Sequence, residues 1–387
     1  MINEPSPLPQ DAFLLDPQVI FLNHGSYGAT PRPVFESYQN WQRLLERQPV
    51  EYFRKSSLYL KDARQALASY FNTQPDNLVY MTNVTAALNA VVKSLDLKTG
   101  DQVLTTNQEY GAINRTWKFY AQKSGYEYIN LPIRMPLTSQ AAYVDEFWRG
   151  VTPHTKVIYI SHISSPTAVI APVQEICRRA REKNIITVID GAHAPGQIPL
   201  DLSQIGADFY GGNLHKWLCA PKGSGFLFAA PHMQPMLDPL IVSAGWQSDQ
   251  PGPSQFQDYF EYIGTRDLSA FLAVPDAIQY QADHHWDEIR AQAHSYAQES
   301  LEAITAITEI DPLYPPGSDW YAQMVTVPLP DEIDPVIFKE RLYNEFKIEV
   351  PMIVWEGRKM IRLSFQAYNR HSDVEAIVSA VRELIKK

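Results

Sequence analysis

The chain has 387 residues, 45% of them hydrophobic, with 33 basic against 43 acidic side chains and a net charge of −10. That size suits two domains or one large domain with an appendage, and the acidic balance argues against a nucleic-acid partner, because phosphate-backbone binding rests on excess Lys and Arg. Residues 1–11 show no secretory leader pattern, no apolar run approaches the ~18 residues of a membrane helix, and two cysteines without a Cys/His cluster give neither a disulfide framework nor a metal site, so a cytoplasmic protein with no membrane partner is expected.

Residues 1–20 read as an N-terminal segment packing with the C-terminal part. Short apolar runs at 79–81, 102–104, 157–160, 186–189, 208–210 and 226–228 then recur, with helical stretches at 85–95 and 173–183 between them. Continuous apolar strands alternating with helices predict an α/β domain over 21–265, built on a mostly parallel sheet covered on both faces. The Pro/Gly-rich tract 239–253 reads as an active-site loop. Beyond 265, helices at 270–282, 286–305, 335–346 and 372–386 and β runs at 324–327 and 360–365 predict a smaller α+β domain over 266–387.

Ligands of such sheets sit beyond the carboxyl ends of the strands, and three polar residues fall there: Asn83, Asp190 and Lys216. Lys216 stands in Asn213-Leu214-His215-Lys216-Trp217, and Asp190 in Val188-Ile189-Asp190-Gly191-Ala192-His193. A lysine amine that forms a Schiff base and a carboxylate that keeps a ring nitrogen protonated are what pyridoxal 5′-phosphate (PLP) chemistry needs. The plain alternatives are a surface lysine and a helix-capping aspartate. His215 and the turn 221–225 count against the first. Gly191-Ala192, small enough to let a flat ring approach the backbone, count against the second.

Asn83-Val84-Thr85 opens a predicted helix, where N–H groups and a hydroxyl favour a phosphate; an ordinary Asn cap is the alternative. Tyr110 and Trp117 are core aromatics, or, for Tyr110, a ring stacked on a pyridine. Arg362, in an apolar strand, needs either a substrate carboxylate or an internal Asp or Glu. No GxGxxG turn follows an early strand, which argues against a nicotinamide cofactor.

In this order, Phe21-Leu22-Asn23-His24-Gly25-Ser26-Tyr27-Gly28, Asp190, Lys216, Ile263-Gly264-Thr265-Arg266-Asp267 and Arg362-Leu363-Ser364-Phe365 resemble the class V branch of fold-type I PLP enzymes. The resemblance covers nearly the whole chain and is closest to the isopenicillin N epimerase-like members. It implies PLP, the fold-type I architecture and a homodimer with shared active sites. Lys216 falls at the Schiff-base lysine, Asp190 at the ring-nitrogen partner, His193 at the ring oxygen, and Tyr110 at the stacking position, where cysteine desulfurases have a histidine. Val84, Thr85, Asn213 and His215 fall at the phosphate, Gly264 and Thr265 at the neighbouring subunit's phosphate, and Arg362 and Asn23 at the substrate.

The loop 350–358 lacks the cysteine that desulfurases use to carry a persulfide, which argues against that reaction. The implied chemistry is at the α-carbon of an amino acid: epimerisation first, a β-lyase on cysteine-type substrates second, transamination third. A binding module that has lost catalysis is disfavoured by the joint presence of Lys216, Asp190 and Arg362. Epimerisation needs a second proton donor, for which Tyr27, His24 and Tyr110 are the candidates.

Overall fold

The computed structural model describes residues 8–386. Strand β1 (Ile20–Phe21) and helix α1 (His24–Tyr27) lead into α2 (Arg32–Arg47) and α3 (Pro49–Tyr70). There follow β2 (Leu78–Met81), α4 (Val84–Ser94), β3 (Gln102–Thr106), α5 (Gly111–Ser124), β4 (Glu127–Leu131), α6 (Gln140–Trp148), β5 (Thr155–Ser161) and α7 (Val173–Glu182). Next come β6 (Ile186–Gly191), α8 (Leu202–Ile205), β7 (Phe209–Asn213), β8 (Gly225–Ala229), α9 (Gln255–Glu261), α10 (Ser269–Leu272) and α11 (Val274–Asp283). The C-terminal part holds α12 (Trp286–Thr308), β9 (Met324–Pro328), α13 (Pro335–Phe346), β10 (Ile348–Glu349), β11 (Met352–Trp355), β12 (Arg358–Ser364) and α14 (His371–Ile385).

Seven strands make one sheet in the order β2-β8-β7-β6-β5-β3-β4. Only β8 is reversed, antiparallel to both β2 and β7; the other neighbours are parallel. The predicted apolar runs are six of its seven strands, all but β4, and β2, β7 and β8 are buried at every position. Helix α4 shows what holds the helical layer. Val84, Ala87, Leu88 and Val91 recur at helical spacing and are buried against the sheet. Each branched side chain gains roughly 1.5–3 kcal/mol from burial, whereas the Asn83 cap on Ala86 N–H is worth roughly 1 kcal/mol. Packing holds the helix; the cap fixes where it starts.

Three parts of the chain differ from the sequence pattern. Strand β4 and helices α2 and α3 have no counterpart in it: β4 is an edge strand with Glu127 and Asn130 exposed, and α2 buries Val34 alone, so neither carries an apolar run. The stretch expected as a loop over 350–358 folds as β11 and the start of β12, turning at Glu356-Gly357 with φ of 50° and 79°. Two positive φ angles are the geometry of a type I′ hairpin turn. The tract 239–253 lines no part of the cavity described below. Its Gly252 N–H bonds the Asp258 carboxylate of α9 at 2.9 Å, and a Cβ on Gly245 would stand 1.8 Å from the Asp258 carbonyl oxygen, so this stretch is laid onto α9 instead.

Strands β11, β12 and β9 form a three-stranded antiparallel sheet, with α12 packed against β9 and α14. β1 pairs in parallel with β10, and Asn23 bridges to Ser364. This pairing brings the N-terminal segment beside Arg362 on β12.

Candidate active site

Because β2, β3, β5, β6 and β7 run in one direction, their carboxyl ends share one edge of the sheet. The residues just past those ends line a cavity of about 320 Å³. Asn83, Val84 and Thr85 come from beyond β2, Tyr110 from beyond β3, Ser165 from beyond β5, His193 from beyond β6, and His215 and Lys216 from beyond β7.

Lys216 Nζ lies 3.2 Å from His193 Nε2, and the Trp217 indole N–H donates to His193 Nδ1 at 3.2 Å. Burial pushes the His193 pKa well below its ordinary value, so the ring is neutral and its single proton sits on Nε2. Nε2–H then donates to the lysine nitrogen, which accepts only as a free amine. Burial, and after it the Arg362 charge, lowers the Lys216 pKa from 10.5 to about 7, in agreement with that bond. Behind the lysine, Gly28 takes φ +70° and a Cβ there would stand 2.0 Å from the His215 carbonyl oxygen, so only glycine lets the N-terminal segment close on this loop.

Asp190 is buried, accepting from Ala192 N–H at 2.9 Å and from the Tyr159 hydroxyl at 3.3 Å. It caps no helix: β6 ends at Gly191 and the next helix is α8. Burial raises its pKa, the hydrogen bond from Ala192 N–H working against that. A carboxylate in this setting is best satisfied by a cation. Gly191 does not serve the cavity as the sequence implies; the space of its missing Cβ is filled by the Tyr210 ring, 2.0 Å away, while Ala192 does face the cavity.

At the start of α4 the Asn213 side chain accepts from Val84 N–H and Asn83 accepts from Ala86 N–H, both at 2.9 Å. Asn83 is thus an ordinary cap, and Thr85 is the first-turn position whose N–H neither side chain takes. His215 Nδ1–H donates to the Ser224 carbonyl at 2.9 Å, and burial lowers its pKa to about 4. A phosphate dianion beside it would restore the second ring proton.

Arg362 is buried, and among the described residues no carboxylate is bonded to it. It donates to the Ser165 carbonyl and hydroxyl at 2.7 and 3.0 Å and to the Ser26 hydroxyl at 3.1 Å, while its Nε is buried without an acceptor. Asn23 acts one step back: its Oδ1 accepts from Ser26 at 2.5 Å, and it is not in the cavity wall. Ser26, Ser165, Ser161, Tyr159 and Glu109 are contributors that sequence reasoning missed. The run Ser164-Ser165-Pro166 directly after an apolar strand was the available signal.

The three second-donor candidates separate. His24 is fully buried and both ring nitrogens are committed, to the Lys216 carbonyl at 2.9 Å and the Tyr368 hydroxyl at 3.0 Å. It supports the lysine loop from behind. Tyr27 and Tyr110 line the cavity and are 73% and 44% exposed. Trp117 is plain core, stacked on Tyr128. Gly264 and Thr265 are exposed outside this cavity, with nothing within 4 Å of a Cβ on Gly264.

A model of the class V aminotransferase family matches residues 30–377. The chain belongs to that family. It is 34% identical to an isopenicillin N epimerase of Amycolatopsis lactamdurans over 96% of both chains, and 29% identical to a putative L-cysteine desulfhydrase of Oryza sativa subsp. japonica, covering 96% of this chain and 85% of that one. The solved apo structure of a cysteine desulfurase from Thermococcus onnurineus NA1 superposes with a TM-score of 0.82 at 20% identity, covering 95% of both chains, which establishes the fold-type I architecture. The protein is accordingly a PLP-dependent enzyme, and the cavity fits that cofactor. It offers an amine of lowered pKa, a buried carboxyl and a helix start for a phosphate, and behind its wall the Arg362 guanidinium holds Ser26 and Ser165 with no carboxylate bonded to it among the described residues. No described helix is long and apolar enough to cross a membrane.

Proposed function

We propose that this class V enzyme epimerises the α-carbon of an amino acid or amino-acid derivative. The observation that carries the reading is the buried Lys216 amine, its pKa lowered to about 7, standing in one cavity with buried Asp190 and near an Arg362 that has no acidic partner among the described residues. When bound, PLP supplies an electron sink for the α-carbon. Arg362 takes the substrate carboxylate, with Ser26 and Ser165 fixing the guanidinium plane. Lys216 Nζ takes the α-proton, and His193, kept neutral by burial and by Trp217, orients that nitrogen without competing for the proton. With the cofactor bound, Asp190 would keep the ring nitrogen protonated, Tyr110 would cover the ring, and Asn83, Val84, Thr85, Asn213 and His215 would hold the phosphate. Tyr27 or Tyr110 returns a proton from the side away from Lys216.

The exposed Gly264-Thr265 segment serves the phosphate of a second copy, so the active form is a homodimer. Two free, buried cysteines suit a cytoplasmic protein. The relative named an epimerase, at 34% identity, supports the reaction assigned.

A β-lyase reading is favoured by a different observation. The β11–β12 hairpin holds no cysteine to carry a persulfide, and a relative at 29% identity is named a desulfhydrase. Sulfur would then leave directly as sulfide. Incubating the PLP-loaded enzyme with a panel of L-amino acids in deuterated water separates the two. Deuterium at the α-carbon with accumulation of the D-enantiomer supports epimerisation. Pyruvate, ammonia and sulfide from cysteine, with no D-amino acid from any substrate, would replace it with the lyase.

A further inference from the structure

Glu109 is a second buried carboxylate at this edge of the sheet, 6% exposed. Its bonds come from neutral donors: the Thr106 hydroxyl at 2.7 Å, the Ser161 N–H at 2.7 Å and the Ser161 hydroxyl at 2.6 Å. A buried carboxylate without a cation costs the fold several kcal/mol unless it is protonated or meets a positive charge nearby. Three neutral bonds lower that cost without removing it.

Its position shows where such a charge would come from. Ser161 is in register with Asp190 on the adjacent parallel strand, and both line the cavity. Tyr159, two residues before Ser161 and so on the same face of β5, donates to Asp190. One face of one strand end therefore supplies donors to both carboxylates. The titratable groups that face Glu109 are Asp190 on β6 and the phenols of Tyr128 on β4, Tyr143 on α6 and Tyr159 on β5. Burial pushes all three phenols upward, so they stay protonated, and none of these groups is basic. Two anions side by side are unfavourable; an anion pair that embraces one cation is not.

We propose that Glu109 is a positioning residue of the ring-nitrogen subsite, a second carboxylate that acts through Ser161 and Asp190 and loses its proton to solvent when a protonated ring nitrogen is seated at Asp190. This rests on the PLP reading given above. Without that cation, burial and the Asp190 charge hold the Glu109 carboxyl up at about 7 against the three hydrogen bonds. With it, the same carboxyl drops toward the ordinary range. Charge on Glu109 in turn strengthens the hold on the ring proton by linkage.

The test is calorimetric titration of cofactor-free protein with PLP, in two buffers of different ionisation enthalpy, which counts protons released on binding. The protons of PLP itself cancel between wild type and Glu109→Gln. At pH 7 the wild type should release about half a proton more than Glu109→Gln, since a carboxyl held up at about 7 is half ionised there. The excess should grow toward pH 6 and vanish by pH 9. Ser161→Ala, which removes one lowering hydrogen bond, should move the excess to higher pH. Equal proton counts in wild type and Glu109→Gln would overturn the proposal. If Glu109→Gln does not fold, an unchanged pH dependence in Ser161→Ala overturns it instead. Wild-type protein that shows no visible absorbance with PLP would fail the cofactor reading itself, a distinct result.

Discussion

Replacing Lys216 with Met should stabilise the cofactor-free protein. Burial, with the Arg362 charge second, brings the lysine pKa from 10.5 down to about 7. At about 1.4 kcal/mol per pH unit of separation, the depressed pKa costs the folded chain roughly 4 kcal/mol at pH 7. Methionine fills a similar volume without charge but leaves His193 Nε2–H without its acceptor, a loss of about 1–2 kcal/mol. The net expectation is roughly 2–3 kcal/mol in favour of Lys216→Met at pH 7. The sign of the pH dependence follows from the depressed pKa. The cost is full below pH 7, where both states carry the charge, and disappears as pH rises toward 10.5 and the unfolded lysine also loses its proton. Urea denaturation of both cofactor-free proteins at pH 7 and pH 10 reads the effect. The variant's advantage should be clear at pH 7 and mostly gone at pH 10. A variant less stable than wild type at pH 7, or an advantage that does not shrink with pH, would refute the free-amine description of Lys216.

Asp190→Asn should keep the fold and bind PLP, but lose turnover by on the order of 100-fold, about 2.7 kcal/mol in the barrier, because the ring-nitrogen proton is no longer held by a charge; near-normal turnover would count against that role. Arg362→Lys keeps a cation but not the planar fork set by Ser26 and Ser165, so KM should rise by on the order of tenfold with a smaller change in kcat; an unchanged KM would move the carboxylate site elsewhere. Inactive Lys216→Ala mixed with a Thr265 variant weakened in phosphate binding should regain activity through hybrid sites, and a fully active monomer in sedimentation would exclude shared sites.

How far the sequence could be read follows from burial. Strands such as β2, β7 and β8 are enclosed on both faces, so every residue but Asn213 is apolar or small and the run is visible. Edge strand β4 and helix α2 face outward over much of their surface and leave no such trace. The positions of Lys216 and Asp190 were legible because each closes or follows a buried strand. The serines around Arg362 were not, because a hydroxyl has no pattern in sequence and its value comes from a guanidinium about 200 or more residues away. Gly191 was misread for the same reason: the neighbour that needs its missing Cβ, Tyr210, sits on the adjacent strand β7. Asn23 reads as a site residue through the resemblance and His24 as a candidate second donor, while the structure places them behind Ser26 and the lysine loop.

The central claim is that Lys216 is the amine that joins this protein to its cofactor. Borohydride reduction of the PLP-loaded enzyme, followed by proteolysis and mass mapping, tests it directly. The account predicts a phosphopyridoxyl label on the peptide carrying Lys216, and loss of that label in Lys216→Ala. A label on neighbouring Lys222 or on any other lysine, or retention of the visible absorbance in Lys216→Ala, would contradict it.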